Sequence, residues 1–214
     1  MKKIMFNDKY GLTQAVLSGR KTQTRRIITC PKTFKGEWVA GFHVYKRQSD
    51  GAILEWPCMY DADERNLEGG QILPKYKIGK IVAIAQSYKD IGLDPAVSLM
   101  EADGIGGYIR TDLSPGWNNK MFVRADLMPH QIQIIDIRVE RLQDIGDADC
   151  LSEGIEFSHR AQRFYANRSP TTGSCIWLGD TPREAYAALI DCISGKGTWE
   201  SNPFVFAYDF ELVK

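Results

Sequence analysis

The run "QIQIIDIRVERL" constrains this chain more than any other stretch, because its apolar residues alternate with period two but change phase halfway. Ile132 and Ile134 fall on one face of an extended strand, whereas Ile135, Ile137 and Val139 keep the same period from a position shifted by one. An uncorrected shift would turn every later side chain to the wrong face. The segment therefore predicts a long strand with a bulge near Ile134 and Ile135, as in strands that bend around a small barrel. The late segment "NPFVFAYDFELV" predicts a second strand, with Phe204, Phe206, Tyr208, Phe210 and Leu212 on one buried face.

Between these anchors the punctuation is uneven. "KKIMF" reads as a short strand, followed by a helix capped by Asn7 or Asp8, with Leu12, Ala15 and Val16 on one face and Gly19 as its stop. From Ile28 to about Tyr76, aromatic and turn residues suggest strands and excursions rather than helices. Ile81 to Ala85 is a buried-strand run. "LDPAVSLMEADGIGGY" suggests a brief helix before a glycine-rich loop, and its "GIGG" does not have the form of a dinucleotide fingerprint. "DIGDADCLSEGI" predicts a short helix capped by Asp147 and ended by Gly154, and the polar stretch from Glu156 to Trp177 reads as an excursion. In "TPREAYAALIDCISGKG", Thr181 and Glu184 form a capping box, Pro182 takes the first helical position, and Ala185, Leu189 and Ile193 make an apolar face closed by Gly195. Several strands and a few helices, out of strict βαβ order, imply a single α+β domain with a bent, mainly antiparallel sheet or barrel.

Charge narrows the function. Lys+Arg and Asp+Glu balance at 27 each in 214 residues, so any grip on nucleic acid must be local. The start holds no apolar run of secretory length and no membrane span follows, which makes a soluble, cytoplasmic protein the expectation. Five isolated cysteines lack ligand or redox spacing and read as reduced thiols. His43, His130 and His159 are far apart, so no metal site and no cofactor is expected. H-E-x-x-H, P-loop and G-x-S-x-G patterns are absent.

The local feature is "GRKTQTRR", Gly19 to Arg26. It can be a charged loop whose basic residues complement a helix C-terminus. It can also be working chemistry: Arg20, Arg25 and Arg26 crowd Lys21 and disfavour its protonation, and Thr24 offers a hydroxyl that a neutral amine could activate toward an acyl carbon. In a regular strand, positions 21 and 24 point to opposite faces, so that chemistry requires a kink between them.

The octet resembles the G-x-K-x-x-[E/T]-x-R signature of the ASCH domain, with Gly19, Lys21, Thr24 and Arg26 on its fixed positions. "RVERLQDIGDADCLSEGI" and "NPFVFAYDFEL" extend the likeness, which is strongest to the larger ASCH proteins common in phages and prophages. The resemblance implies a PUA-like fold, a bent mixed or antiparallel β-barrel with a few flanking helices, here with insertions at about residues 29–76 and 157–178 that could reshape or block a pocket. Small ASCH enzymes include amidohydrolases that deacetylate N4-acetylcytidine with a lysine, a threonine and a glutamate. By that likeness Lys21, Thr24 and Glu153 are the candidate catalytic residues, and one or two tryptophans lining the cleft would offer a base a stacking surface. Two other readings stand beside it: an RNA- or DNA-binding module in which Arg20, Lys21, Arg25 and Arg26 hold phosphates, and a phage structural or assembly protein.

Overall fold

Gln131–Arg141 forms an eleven-residue strand whose ladder with Phe204–Leu212 slips between Asp209, opposite Asp136, and Phe210, opposite Ile134. Ile135 is the residue left over. It is 50 % exposed, while Ile132 and Ile134 on one side of it and Ile137 and Val139 on the other are buried. The phase slip in the sequence is thus a bulge in the sheet, at the expected place.

The structure, a computed structural model, describes residues 1–46, 49, 55–93, 95, 114–168 and 175–213. In chain order its strands are β1 (Lys2–Ile4), β2 (Gln23–Ile27), β3 (Thr33–Phe34), β4 (Glu37–Trp38), β5 (Gly41–His43), β6 (Cys58–Tyr60), β7 (Asn66–Gln71), β8 (Ile81–Ile84), β9 (Gln131–Arg141), β10 (Ile155–Ser158), β11 (Arg163–Arg168), β12 (Cys175–Gly179) and β13 (Phe204–Leu212). Its α-helical segments are α1 (Leu12–Leu17), α2 (Tyr88–Ile91), α3 (Asp147–Ser152), α4 (Pro182–Ser194) and α5 (Thr198–Ser201). The fold is α+β. The brief helix and the "GIGG" loop expected between Leu93 and Tyr108 lie outside the described residues, apart from Leu93 and residue 95.

The main sheet has the order β1-β8-β9-β13-β2; β1 runs parallel to β8 and every other pair is antiparallel. Its two edges, β1 and β2, do not pair with each other among the described residues, so the sheet is open rather than a closed barrel. Both edge strands come from the first 27 residues of the chain. In β13, paired on one side with β9 and on the other with β2, Val205 and Ala207 are as buried as Phe206, Tyr208 and Phe210, so both faces of the strand are covered. The expectation of one buried face is corrected accordingly, and Leu212, at 40 % exposure, has run past the core. Each large apolar side chain buried here contributes about 2 kcal/mol relative to exposure.

α4 is punctuated as expected. Thr181 Oγ1 accepts from the Glu184 N–H, the Glu184 carboxylate accepts from the Thr181 N–H, and Pro182 is the first helical residue. Ala185 and Leu189 face the core, joined by Tyr186 and Ile190, whereas Ile193 is partly exposed. In α3 the cap position belongs to Gly146, and Asp147 is the first helical residue rather than the cap.

The two long segments are structured additions. Residues 29–76 contain the β3–β4 hairpin and the β5–β6–β7 meander around a small core of Val39, Met59 and Leu67. The second segment falls within the antiparallel meander β10–β11–β12, across which α4 packs. That stretch was expected to be an excursion. Its polar composition hides a ladder whose apolar contacts are few, such as Phe157 against Phe164 at 4.9 Å.

Candidate active site

α1 and β2 are joined by a turn that decides where the octet points. Gly19 takes φ +73°, the left-handed region that glycine enters without strain, and the Arg20 and Lys21 N–H groups both fold back onto the Ala15 carbonyl at 2.9 and 3.0 Å. The Thr22 N–H then donates to the Ser152 carbonyl at the end of α3, and the Thr22 carbonyl accepts from Phe210. Regular strand begins only at Gln23. Lys21 is therefore outside the period-two alternation, and it lines the same cavity as Thr24. This is the kink the chemistry requires.

Glu153 arrives from α3. It follows the last helical residue, and Gly154, at φ +101°, turns the chain away beneath Leu12, Ala15 and Lys21. Lys21 Nζ donates to Glu153 Oε2 at 2.5 Å and to the Glu153 backbone carbonyl at 2.7 Å, with both residues almost fully buried. Burial pushes the Lys21 pKa down; the Glu153 carboxylate opposes this, and Arg26 and Arg25 add to it. The direction is toward a neutral amine.

The three arginines part company. The Arg25 side chain is fully buried and held at all three nitrogens: Nε donates to Glu140 at 2.7 Å, Nη2 to Asp149 at 2.8 Å, and Nη1 to Glu153 Oε1 at 3.3 Å and Gln23 at 3.1 Å. Burial works against its charge, but Glu153 and Glu140 outweigh it and hold its pKa above the usual range. A buried guanidinium paired with three carboxylates is withdrawn from any phosphate, and Lys21 is equally withdrawn. Arg20 pairs with Glu156 and lies outside the cavity lining. Arg26 alone is an exposed arginine on the cavity, donating to the Met5 carbonyl at 2.7 Å with its guanidinium 5.8 Å from the Phe6 ring centre. The octet is thus brought together as a buried ionic site with one arginine at its rim, not as a phosphate-gripping row.

The cavity, of about 450 Å³, is within the range of small-molecule sites and is lined by Phe6, Lys21, Thr24, Glu153, Tyr186 and Ile193 among others. None of the described lining residues comes from 29–76 or 157–178. The four tryptophans with described side chains do not line it either: Trp38 is exposed, Trp56 packs on Phe206, Trp117 joins a separate core around Tyr88, and Trp199 meets Tyr186 at 6.2 Å, while the Trp177 side chain lies outside the described residues. Aromatic surface comes instead from Phe6 and Tyr186, which the sequence reading missed because each sits in an apolar pattern that reads as core.

Two hydroxyls on the cavity wall, Thr24 and Tyr186, have no hydrogen-bond partner among the described residues. Neither hydroxyl is a sealed polar atom, so each can be solvated in the cavity and can exchange that contact for a hydrogen bond to a bound molecule. Burial, reinforced by Glu153, raises the Tyr186 pKa well above its usual value, so the phenol remains a neutral donor. Among the described residues no group of three or more His, Cys, Asp or Glu is arranged to hold a metal ion. His130 bonds Gln86 at 2.6 Å, and His43 stacks on Tyr60 at 4.2 Å, both away from the cavity. The cavity thus presents an amine biased toward its neutral form, a hydroxyl without a protein partner and a phenol able to donate a hydrogen bond, with no hydrogen bond joining Lys21 to Thr24. No family model, curated protein or solved structure matches this chain.

Proposed function

We propose that this chain is an ASCH-type amidohydrolase, on an opened PUA-like sheet, that removes an acyl group from the exocyclic amine of a modified pyrimidine nucleoside of the N4-acetylcytidine kind. The observation that carries the reading is a buried lysine, biased toward its neutral form and held by one carboxylate, on the same cavity wall as a threonine hydroxyl that has no other partner. Phe6 and Tyr186 supply flat apolar surface for a base.

In this mechanism Lys21 Nζ takes the Thr24 hydroxyl proton as Thr24 Oγ1 attacks the acyl carbon. The Tyr186 phenol donates to the oxyanion that forms. The carbon–nitrogen bond breaks, the departing nitrogen takes the proton from the Lys21 ammonium, and the acyl group remains as an ester of Thr24. Water then adds to the ester, giving its proton to Lys21; Thr24 Oγ1 leaves and recovers that proton, and the carboxylic acid is released. Glu153 holds the Lys21 amine in place throughout and does not itself exchange a proton with the substrate.

The test is acetate release from N4-acetylcytidine by the purified protein. Lys21→Ala and Thr24→Ala are expected to lose it, while Thr24→Ser, which keeps a hydroxyl, retains a measurable part. Absence of turnover by the unaltered protein on a panel of acylated nucleosides overturns the proposal.

A further inference from the structure

A second cavity, of about 420 Å³, opens beside the outer end of β1 and is lined by Met1, Lys2, Lys75, Tyr76, Lys77, Lys80, Ile81 and Val82. Half of its lining is lysine and none is acidic. In a chain of zero net charge that concentration is local, and none of these four lysines has a carboxylate partner among the described residues, although Lys21, Lys120, Arg20, Arg25, Arg138 and Arg163 all do. Lys2 Nζ donates to the Lys75 carbonyl, which draws β1 and the 75–80 turn together. Neighbouring Lys3 shows the resulting strain: its pKa is lowered by burial and by the charge of Lys75. Such a cluster is relieved by an anion.

β1 connects this cavity to the candidate site. Lys2 lines one and Met5, Phe6 and Asn7 line the other, and three residues of extended chain span about 10 Å. Arg26 stands between them, bonded to the Met5 carbonyl and close enough for its charge to act on Tyr76 and Tyr208. Ile78 and Ile81 are exposed on the lysine side, offering apolar contact beside the cations.

We infer that Lys2, Lys75, Lys77 and Lys80, continued by Arg26, form a binding track for the phosphates of a single nucleic-acid strand whose modified base enters the Lys21 cavity. The choice of nucleic acid over other polyanions rests on the proposed reading of that cavity; the cluster itself does not. The track assigns phosphate binding to lysines outside the octet, and it makes a polynucleotide rather than a free nucleoside the natural ligand.

The experiment measures binding of a fluorescent single-stranded RNA oligonucleotide, without turnover, to the unaltered protein, to Lys89→Glu, an exposed lysine that lines neither cavity, and to the exposed triple variant Lys75→Glu/Lys77→Glu/Lys80→Glu. Expected are a log–log salt slope near −0.7 per phosphate contacted, a slope shallower by about two in the triple variant, and little change in Lys89→Glu. Circular dichroism checks that the triple variant folds. Three outcomes overturn the inference: an oligonucleotide that binds the triple variant as well as the unaltered protein, one that is displaced by equimolar inorganic phosphate, or one that fails to bind while vesicles of anionic lipid do. If the unaltered protein binds RNA through the lysines but releases no acetate, the deacylase reading falls and the track stands. If it releases acetate from the free nucleoside but does not bind RNA, the reverse holds.

Discussion

Glu153 gives one carboxylate oxygen to Lys21 and the other to Arg25, so its charge is shared between a group that must lose a proton and a group that never does. Its effect on Lys21 has a definite sign. The carboxylate raises the lysine pKa against the larger lowering by burial, so Glu153→Gln leaves burial less opposed and the pKa falls further. Because the base works unprotonated, the acid limb of kcat/KM for acetate release should move to lower pH in Glu153→Gln; an unmoved limb would separate Lys21 from the role of base. Stability follows the same group. With the folded pKa below the ordinary 10.5, the unfolded chain binds more protons between the two values, and stability rises with pH across that window. Tyr186→Phe removes only the unpartnered hydroxyl and keeps the packing on Trp199. It should lower kcat by about 10²-fold or more with KM little changed, as loss of an oxyanion donor does, and an unchanged kcat would exclude Tyr186 from the reaction.

At the scale of elements, the bulge in β9 sets which residues face the core. Deleting Ile135 removes the extra residue and sets Ile134 and Asp136 opposite the consecutive residues Phe210 and Asp209, so Ile132 and Ile134 keep the face they share with Ile137 and Val139; the deletion should cost no more than about 1 kcal/mol in urea denaturation, and a much larger loss would mean that the bulge itself is needed. Ile135→Thr, at an exposed position, should stay within about 0.5 kcal/mol. This bulge was legible because a change of phase in a period-two pattern has one mechanical remedy. The capping box of α4 and the Gly19 turn were legible for a similar reason, since local hydrogen bonding and φ preference are written in adjacent residues. The fate of Arg25 was not. Its burial depends on Glu140 from β9 and Asp149 and Glu153 from the neighbourhood of α3 meeting across the sheet, and no spacing in the octet encodes that encounter. The ladder of β10–β11–β12 was missed because a meander covered by one helix can remain polar on its open side.

For the whole molecule, the described residues of the two added segments do not line the cavity, which is wide enough for a small ligand. A nucleoside bound at a hundred times its Kd stabilises the folded state by about 2.7 kcal/mol. For a chain of this size that corresponds to a rise in Tm of roughly 5–10 °C. N4-acetylcytidine should produce it in Thr24→Ala, where the ligand is not consumed, and a Tm that ignores the nucleoside would argue against the cavity as its site. Among the described residues no helix is long and apolar enough to cross a membrane. The positions of Lys21, Thr24 and Glu153 within one cavity could be anticipated from a motif; the lysine cavity beside β1 could not, since Lys2 and Lys75 are brought together only by the sheet.

β1 and β2 hold opposite edges of the main sheet, yet both are made among the first 27 residues, and β2 has to wait for β13. At translation speeds of about 5–20 residues per second, roughly 10–40 s separate the synthesis of these two partners. Throughout that interval the nascent chain carries an unpaired strand whose two arginines have not yet met their cross-strand partners in β13. Assembly of the cavity wall therefore waits on β13, and a ribosome stalled before Phe204 would display a polypeptide whose β2 has no neighbour to pair with.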